Sequence, residues 1–522
     1  MSPSPVKKAY IAIAIAILVI AVIGGYYAYI ATRPKYREML VIGTTDRITT
    51  LDPAKAYDFF TWEVFQNIGE GLLKYEPGTL KIVPGLAERY EVSEDGKVYT
   101  FYLRKGLKFT DGTPLNATVV KWSIDRQFHL KGDPSWLVTE FVDHVEVVDE
   151  YTVKFYLRKP VSYFPALVAT VPYFPISPKA WPWDEFKDAT VGIGPYKIIR
   201  WERDVELRLE ANPDYYGPKP KTKYIVVRFY KDAPALRLAL ETGEIDIAWR
   251  TLMPTDYVDF KKMSEKYTVV EAPGPYIRYL VLRCNQPPFN DVRLRRAIAA
   301  AVDRWRICSD VFLNTTEPLY SMIPKGMWSH IDAFLEEYGE HNITLARQLL
   351  TEAGYSETNK LKIELWYTPA HYGPTEADVA ALIKDALEET GMIEVTLRSA
   401  EWSTYVDYIT KGVMPIFLLG WYPDYVDPDD YTTPFLHSKY CWALGVFYNN
   451  SRMDSLLEQA MVAPTTEERA ELYIEVQRLM AEEAPVIPLF QGRLIVVAKK
   501  GVEGIVLDAT MIFRYYLLYA VA

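Results

Sequence analysis

The chain begins with its longest apolar stretch. Residues 9–32 follow Lys7 and Lys8 and contain no charged side chain. A helix that rises about 1.5 Å per residue crosses a hydrocarbon core about 30 Å thick in a stretch of this length. The stretch is longer than the apolar part of a secretory signal, about 7–15 residues, and no A-x-A cleavage site follows it. It predicts one transmembrane helix that is retained; a signal segment that is removed is the alternative.

Alternating apolar and polar residues then predict two β-hairpins. Residues 88–106 (ERYEVSEDGKVYTFYLRKG) alternate on both sides of Asp95-Gly96, a dipeptide that favours a tight hairpin turn. Residues 145–160 (VEVVDEYTVKFYLRKP) predict a second hairpin. The string FYLRK occurs once in each region, which indicates two similar strands and not a repeat architecture.

The second half of the chain changes to alternating strands and helices. Two stretches alternate at period two, 361–368 and 393–399. Residues 376–391 between them have the pattern of a helix with one apolar face. A strand, a helix and a strand joined by short links predict a parallel pair with a right-handed crossover. Because no low-complexity linker divides the chain, we expect its domains to share segments.

Length and composition limit the class of protein. With 522 residues the chain is longer than one hydrophobic core usually serves, so we expect two or three domains. A hydrophobic fraction of 49% and a charged fraction of 24% exclude a disordered or fibrous protein. The net charge of −10, without a long basic cluster, argues against nucleic acid as a partner. The 39 tyrosines suit a hydrated ligand cleft as well as an ordinary core.

No motif of a catalytic or metal site is present in the sequence. The chain lacks G-x-S-x-G, H-E-x-x-H and G-x-x-x-x-G-K-[ST], and its six histidines share no metal-ligand spacing. We therefore expect no enzyme, no cofactor and no metal. The three cysteines are too few for a disulfide framework, and we expect them to be buried, with one bridge as the alternative. They are Cys284, Cys308 and Cys441.

Several stretches, in order along the chain, resemble a single family. The chain is similar to the bacterial and archaeal oligopeptide- and dipeptide-binding proteins, which are the extracytoplasmic substrate-binding subunits of ABC importers. The stretches that carry the resemblance are 51–77 (with LDP and EGL), 82–126, VGIGPYKI at 191–198, ALETGEIDIA at 239–248, 282–304, GWYPDYVDPDDY at 420–431 and APVIPLF at 484–490.

The resemblance implies an α/β fold of the periplasmic-binding-protein type. It has two lobes with mixed sheets that close on a ligand, and an inserted β-rich domain, here behind one transmembrane helix. The segments it implies are an anchor or signal at 1–38, a first lobe at 39–73, 191–275 and 487–522, an inserted α+β domain at 74–190, and a second lobe at 276–486.

The resemblance also implies partners and a location. The ligand is a peptide or an oligosaccharide, the protein partners are ABC permease subunits, and we expect a monomer at the outer face of the cytoplasmic membrane. Family members often carry a lipid on a cysteine after the first segment, whereas the first cysteine here is Cys284, so anchoring falls to the apolar helix. Two alternatives stay open: a ligand-binding surface sensor or adhesin, and a glycosidase that uses Asp424 with a second carboxylate.

Residues 420–431 contain the main candidates for ligand binding. Asp424 stands where many peptide-binding members keep the aspartate that pairs with the ligand amine, and Trp421 where they keep a cleft tryptophan. The other candidate ligand-binding residues are Tyr422, Trp122 on a helix of the insert, Phe490 and Gln491. We expect the remaining carboxylates of this segment to cap a turn, with a Ca²⁺ loop as the alternative. These are Asp427, Asp429 and Asp430.

Two positions depart from the pattern of the family. Ile193 stands where members commonly have threonine, and Val119 where they have an acidic residue. Both changes remove polar groups near the region between the domains. They weaken a direct transfer of peptide specificity, and aromatic-rich clefts also suit sugar faces.

Overall fold

A computed structural model describes residues 35–373 and 375–521 of the chain. The strands are β1 Met39–Thr44, β2 Leu73–Tyr75, β3 Ile82–Pro84, β4 Ala87–Val92, β5 Val98–Leu103, β6 Val142–Asp149, β7 Thr152–Leu157, β8 Tyr196–Glu202, β9 Glu206–Ala211, β10 Tyr224–Phe229, β11 Ile247–Trp249, β12 Tyr267–Leu282, β13 Thr316–Pro318, β14 Leu361–Tyr367, β15 Ile393–Ser399, β16 Ile416–Trp421, β17 Val486–Lys499, β18 Val502–Glu503 and β19 Tyr519–Ala520.

The helices are α1 Phe59–Ile68, α2 Ala117–Leu130, α3 Trp136–Thr139, α4 Phe164–Val168, α5 Ala233–Thr242, α6 Pro254–Lys262, α7 Val292–Ala301, α8 Arg304–Arg306, α9 Ala333–Tyr338, α10 Ile343–Glu352, α11 Glu376–Glu388, α12 Trp402–Lys411, α13 Thr433–Leu436, α14 Ser451–Val462 and α15 Thr466–Glu483. None of these is long and apolar enough to cross a membrane. The predicted membrane helix at 9–32 lies outside the described residues.

One mixed sheet of eleven strands passes through both halves of the molecule. Its order is β15-β14-β16-β12-β17-β11-β1-β10-β9-β8, and β13 also pairs with β17. β12 and β17, with 16 and 14 residues, lie antiparallel at its centre. β16 pairs with one end of β12, whereas β11 pairs with the opposite end of β17. The two long strands therefore cross from one half of the molecule to the other.

The two halves are lobes with separate hydrophobic cores. Lobe 1 is built on β1 and β8–β11, and lobe 2 on β13–β16, each with one end of β12 and of β17. This is the two-lobed α/β fold with a mixed sheet that the resemblance implies. The implied segment boundaries stay a prediction.

The crossing strands are irregular where they pass between the lobes. The ladder between β12 and β17 is interrupted between Pro273 and Ile277. Gly492 of β17 lies beside this gap, and a Cβ atom on it would overlap the ring of Tyr276. Because strands bend where their ladder is interrupted, this segment has the geometry of a hinge.

A separate antiparallel sheet, in the order β4-β5-β7-β6, packs with α2 around a third core. We call this unit the insert. Both predicted hairpins are confirmed, and the two FYLRK strands are neighbours, β5 beside β7. Gly96 in the first turn has φ 68°, a conformation that glycine adopts without strain. The buried side chains of β5 and β7 alternate along the strands; they are Tyr99, Phe101, Leu103, Val153, Phe155 and Leu157.

A buried ion pair joins the insert to lobe 1. Arg126 of α2 donates to both carboxylate oxygens of Asp52, over 2.8 and 2.6 Å, and neither side chain is exposed. Asp52 also accepts the backbone N–H groups of Ala54 and Lys187. The aspartate of the LDP stretch is therefore structural, because it anchors the insert helix.

The predicted strand-helix-strand unit of lobe 2 is confirmed. β14 and β15 are parallel neighbours, and α11 lies between them in sequence. The cysteines are all unpaired, and Cys308 and Cys441 are buried, as the sequence predicts, whereas Cys284 is half-buried.

Candidate functional site

A cleft of ≈ 880 Å³ lies between the two lobes, where the long strands cross. Lobe 1, lobe 2 and the hinge all contribute to its wall. The lining residues that bear on its chemistry are Asp46, Arg47, Asp58, Phe59, Asp232, Arg250, Tyr276, Arg278, Phe312, Thr315, Thr316, His371, Tyr372, Glu376, Tyr422, Phe490 and Arg493. Because both lobes line the cleft, a ligand in it contacts both of them at once only when the lobes are close together.

Aromatic rings form one wall of the cleft. Tyr422 of lobe 2 stacks on Tyr276 of the hinge at 5.3 Å between centroids and lies 5.1 Å from Phe59 of lobe 1. The Arg278 guanidinium is 4.0 Å from the Tyr372 ring centre. The rings supply apolar area with polar tips, which suits a ligand that is partly apolar and partly polar.

Most of the charges in the cleft are already paired within the protein. Arg250 donates to Asp46 from Nε at 2.9 Å, and Arg278 Nε lies 3.3 Å from Glu376. Burial raises the pKa of Glu376, and the nearby Arg278 opposes that shift. Arg250 has φ 56°, a strained conformation for a residue with a Cβ, so the loop after β11 is held in place by such contacts.

Asp424 lines a small cavity of ≈ 50 Å³ next to the cleft, and Phe59 borders both. Burial raises the pKa of its carboxyl from 3.8 to about 6, and a hydrogen bond from the Tyr57 hydroxyl partly offsets this. Within the described part of the chain, Asp424 forms no ion pair with a lysine or arginine. Asp424 is half-buried, and partial removal of a carboxylate from water without a neighbouring cation is costly, so a cationic ligand group lowers that cost.

Glu63 of α1 lines the same small cavity. Its carboxylate accepts from the indole of Trp249 at 2.8 Å and from the hydroxyl of Tyr515 at 2.6 Å. Burial raises its pKa to about 7, against the opposing effect of Arg250. Both oxygens of Glu63 are therefore used inside lobe 1, which leaves Asp424 as the free carboxylate of this cavity.

Two of the other three aspartates, Asp427 and Asp430, accept backbone N–H groups of the turn, as predicted. The Asp429 carboxylate instead accepts from the hydroxyls of Tyr425 and Thr433. Asp427 accepts the backbone N–H of Asp429 at 3.0 Å and forms two hydrogen bonds with Arg469 at 2.9 and 2.6 Å. Asp430 accepts from the backbone N–H of Asp424 at 3.0 Å, and burial raises its pKa well above the ordinary value. These bonds fix the loop that carries Asp424.

The predicted binding residues fall into two groups. Tyr422 and Phe490 line the cleft, and Asp424 lines the adjoining small cavity. Trp421, Trp122 and Gln491 line neither of the two.

Each of these three side chains has protein contacts of its own. Trp421 donates its indole N–H to Asp430 at 3.1 Å, and the Trp122 ring lies 5.8 Å from that of Trp183. Gln491 is fully buried, and its Oε1 accepts from the backbone N–H of Lys325 at 2.7 Å. The ligand-binding role of each of the six residues stays a prediction.

Sequence reasoning missed the arginines of the cleft. Arg250, Arg278 and Arg493 come from three strands or strand ends that are far apart in the chain. No local motif marks a single arginine in an otherwise apolar strand. An arginine at a position where the strand pattern predicts an apolar side chain is the one sequence feature that could have identified these residues.

Comparisons with known proteins agree with this architecture. The family described as bacterial extracellular solute-binding proteins, family 5 Middle, matches residues 81–440. The probable D,D-dipeptide-binding periplasmic protein DdpA of Escherichia coli is 29% identical over 485 residues, covering 90% of this chain and 92% of that protein. Heme-binding protein A of Haemophilus influenzae is 28% identical, and the match covers 81% of each chain.

A solved structure has the same fold. The ABC transporter-associated periplasmic binding protein DppA from Helicobacter pylori, in complex with the peptide STSA, superposes with a TM-score of 0.78 at 24% identity. The superposition covers 94% of this chain and 99% of that one. At this identity the likeness concerns the fold alone.

Proposed function

The chain belongs to family 5 of the bacterial extracellular solute-binding proteins, and from that membership we propose that it captures a short peptide between its lobes and passes it to an ABC permease. The observation that carries the proposal is Asp424, a half-buried carboxylate beside an interlobe cleft, with no cation of the described chain paired to it. The α-amine of a peptide supplies that cation through a charge-assisted hydrogen bond.

Closure of the lobes is the second part of the proposal. The ladder of β12 and β17 is interrupted between the lobes, and the cleft opens on both sides of that point. A ligand that touches both lobes binds the closed arrangement more tightly, and this differential affinity drives closure. No covalent step is needed, so we propose binding without catalysis.

The anchor belongs to the same proposal. Residues 9–32 hold the protein at the outer face of the cytoplasmic membrane as a monomer, and the binding lobes follow directly from residue 39. This position keeps captured ligand near the permease. The relatives support an extracytoplasmic location, because DdpA of Escherichia coli is a periplasmic protein.

An oligosaccharide is the second candidate ligand. The stacked rings of Tyr276 and Tyr422 at 5.3 Å offer a flat face of the kind that sugars pack against. A sugar has no ammonium group, so this candidate leaves the carboxylate of Asp424 without a partner. For that reason we favour a peptide.

A binding screen with the purified lobes, residues 35–522, tests the proposal. Di-, tri- and tetrapeptides with free amines are compared with the same peptides N-acetylated and with linear oligosaccharides. We expect free-amine peptides to raise the melting temperature, because a ligand at 100 times its Kd stabilises the folded protein by about 2.7 kcal/mol. Acetylation is expected to weaken binding about 10–100-fold, the usual effect of losing a hydrogen bond to a charged group.

Two results of this screen contradict the peptide proposal. If oligosaccharides alone raise the melting temperature, the ligand is a sugar and Asp424 has another role. If acetylated and free peptides bind equally, the amine does not contact a carboxylate. Chromatography of each bound ligand after incubation detects any chemical conversion of the ligand. Such conversion would contradict binding without catalysis and would support an enzyme.

A further inference from the structure

The small cavity beside the cleft has aromatic walls. Its ≈ 50 Å³ are bounded by Phe59 and Trp62 of α1, Tyr75 of β2 and Tyr425 of lobe 2. Phe59 and Met511 also line the cleft, so the two spaces adjoin at these side chains. Because α1 belongs to lobe 1 and Tyr425 to lobe 2, the cavity is complete only when the lobes are close together.

Two of the rings are held in place by hydrogen bonds. The indole N–H of Trp62 donates to the carbonyl of Ala56 at 2.8 Å. The hydroxyl of Tyr425 donates to the Asp429 carboxylate at 2.7 Å, and its ring stacks on Tyr163 at 5.2 Å. Side chains fixed in this way lose little freedom when a ligand enters, which favours binding.

Most polar side chains of the cavity wall are already bonded inside the protein. The Gln66 amide donates to the carbonyl of Ala169 at 3.1 Å, and the Thr170 hydroxyl donates at 2.6 Å to the carbonyl three residues before it. Both oxygens of Glu63 are used within lobe 1. In the part of the chain that the structure describes, no lysine, arginine or histidine lines this cavity. Asp424 therefore remains as the charge available to a ligand.

The cavity is larger than a simple ammonium group. Since a water molecule takes up about 10–15 Å³ of cavity volume, ≈ 50 Å³ hold about three to five groups of that size. An –NH₃⁺ group has a single heavy atom, whereas a trimethylammonium group has four. Water in the remaining space needs polar partners that the satisfied wall does not supply. Methyl groups on the ligand nitrogen fill this space against the aromatic rings instead.

We propose that this cavity is an aromatic cage for a methylated ammonium group at the amine end of the ligand, with Asp424 as its counter-ion. The inference rests on the proposed peptide function and narrows the ligand class to peptides whose terminal nitrogen carries methyl groups. Aromatic faces attract a cation through the ring quadrupole, and quaternary ammonium groups are bound in such cages. A large methylated cation is also less strongly hydrated than –NH₃⁺, so it loses less on leaving water.

Calorimetry with isosteric ligands tests the aromatic cage on the wild-type protein, residues 35–522. The ligands are Gly-Ala-Ala, its N,N,N-trimethyl form, and 3,3-dimethylbutanoyl-Ala-Ala, in which carbon replaces the charged nitrogen of the trimethyl form. We expect the trimethylated peptide to bind at least as tightly as the free amine. The neutral isostere has the same shape without the charge, and we expect it to bind about 10–30-fold more weakly than the trimethylated peptide.

Variants of one cage residue give a second measurement. We expect Trp62→Leu to weaken the trimethylated peptide about 5–30-fold and the neutral isostere much less, because leucine keeps an apolar wall but has no ring. Trp62→Phe keeps a ring and is expected to retain most of the affinity. Trp183→Leu is the matched control: this partly exposed tryptophan lines neither the cavity nor the cleft, and its loss is expected to leave all three affinities unchanged. The ligand comparison on the wild type stands even if Trp62→Leu does not fold.

Choline and its neutral isostere, 3,3-dimethyl-1-butanol, separate failure of this inference from failure of the peptide proposal. If the free-amine peptide binds and the trimethylated one binds at least 10-fold more weakly, the cage is overturned while peptide binding stands. Equal affinities of the trimethylated peptide and its neutral isostere have the same meaning. If choline raises the melting temperature of the wild type but not of Trp62→Leu, and no peptide or dimethylbutanol does so, the cage stands and the peptide proposal falls. If none of these ligands binds, both are overturned.

Discussion

At the scale of single residues, Asp424 combines a cost to the fold with its proposed use in binding. Its carboxyl has a pKa raised from 3.8 to about 6 by burial, and Asp430 is buried beside it. A folded state that raises the pKa of an acid loses stability as that acid ionises. Binding residues are often kept at such a cost, because the ligand supplies the missing partner.

We expect Asp424→Asn to have opposite effects on affinity and on stability. Affinity for free-amine peptides is expected to fall about 10–100-fold, with no change for N-acetylated peptides. The unliganded variant is expected to be more stable at pH 7 by about 1–2 kcal/mol, because the buried charge is gone. Calorimetry gives the affinities, and urea unfolding gives the stability.

The pH dependence follows from the direction of the pKa shift. As pH falls through about 6, Asp424 takes up a proton and affinity for the peptide amine declines. As pH rises from about 4 to about 6, ionisation of Asp424 lowers the stability of the unliganded wild-type protein, and we expect Asp424→Asn to lack this contribution and to lose less stability over the same range. Asp232→Asn is the control, because this cleft carboxylate caps α5 and asparagine caps equally well. Equal pH profiles of wild type and Asp424→Asn would contradict the role of this residue.

The sequence identifies Asp424 as a candidate but does not reveal the surroundings that raise the pKa of its carboxyl. The segment 420–431 identifies the loop, and turn chemistry correctly predicts the role of Asp427 as a cap. The cavity that Asp424 lines is also bounded by Phe59, Tyr75 and Thr510, which are remote in the chain. Pairing of Arg250 with Asp46 spans 204 residues, so no local pattern reveals which arginines of the cleft are paired.

At the scale of elements, the ion pair of Asp52 with Arg126 explains two stretches of the chain together. The LDP turn of lobe 1 and α2 of the insert hold the two partners. Arg126 also donates to the carbonyls of Pro182 and Glu185, so its guanidinium is satisfied without water. A buried pair of this kind fixes the orientation of one element on another.

We expect Arg126→Met to destabilise the protein by about 3–5 kcal/mol, because it leaves the Asp52 carboxylate buried without a cation. Urea unfolding followed by tryptophan fluorescence measures the loss, taken from the first transition if there are two. Arg158→Met is the control: it removes an exposed pair with Asp143 at 3.4 Å and is expected to cost less than about 1 kcal/mol. Similar losses of stability in the two variants would show that the buried ion pair contributes no more to stability than the exposed one.

Local patterns predict the elements better than they predict their surroundings. The Asp95-Gly96 turn and the period-two pattern fix both hairpins, because register and turn are local properties. The long strand β12 is harder to predict, since Pro273, Gly274 and Pro275 lie inside it and such residues normally end strands. Here they mark the interruption of the ladder, which is a property of the crossing between lobes.

At the scale of the whole molecule, lobe 2 also contacts the insert, at a place outside the cleft. Tyr425 and Met461 belong to lobe 2 but are buried in the core of the insert. The Tyr425 ring stacks on Tyr163 at 5.2 Å, and the backbone N–H of Ser162 donates to the carbonyl of Met461 at 2.9 Å. Arg126 joins the insert to lobe 1, so we expect the insert to follow lobe 1 and an opening of the hinge to separate this contact.

This contact stabilises the closed arrangement whichever ligand is bound. Stacked aromatic pairs contribute about 0.5–1.5 kcal/mol beyond the area they bury. We therefore expect Tyr163→Leu to shift the population toward the open arrangement and to weaken all ligands by the same factor, about 3–10-fold.

Single-molecule energy transfer between dyes at Glu94→Cys on the insert and Glu471→Cys on lobe 2 measures closure. Labelling is selective because burial raises the pKa of Cys284 and Cys308 to about 12 and of Cys441 to about 11, and a protonated thiol reacts slowly. We expect Tyr163→Leu to lower the closed fraction without ligand and to require more peptide for closure. Tyr173→Leu removes another fully buried tyrosine of the insert core, away from lobe 2, and controls for general loosening. If both variants lower the closed fraction equally, the contact of Tyr163 with Tyr425 does not hold the lobes together.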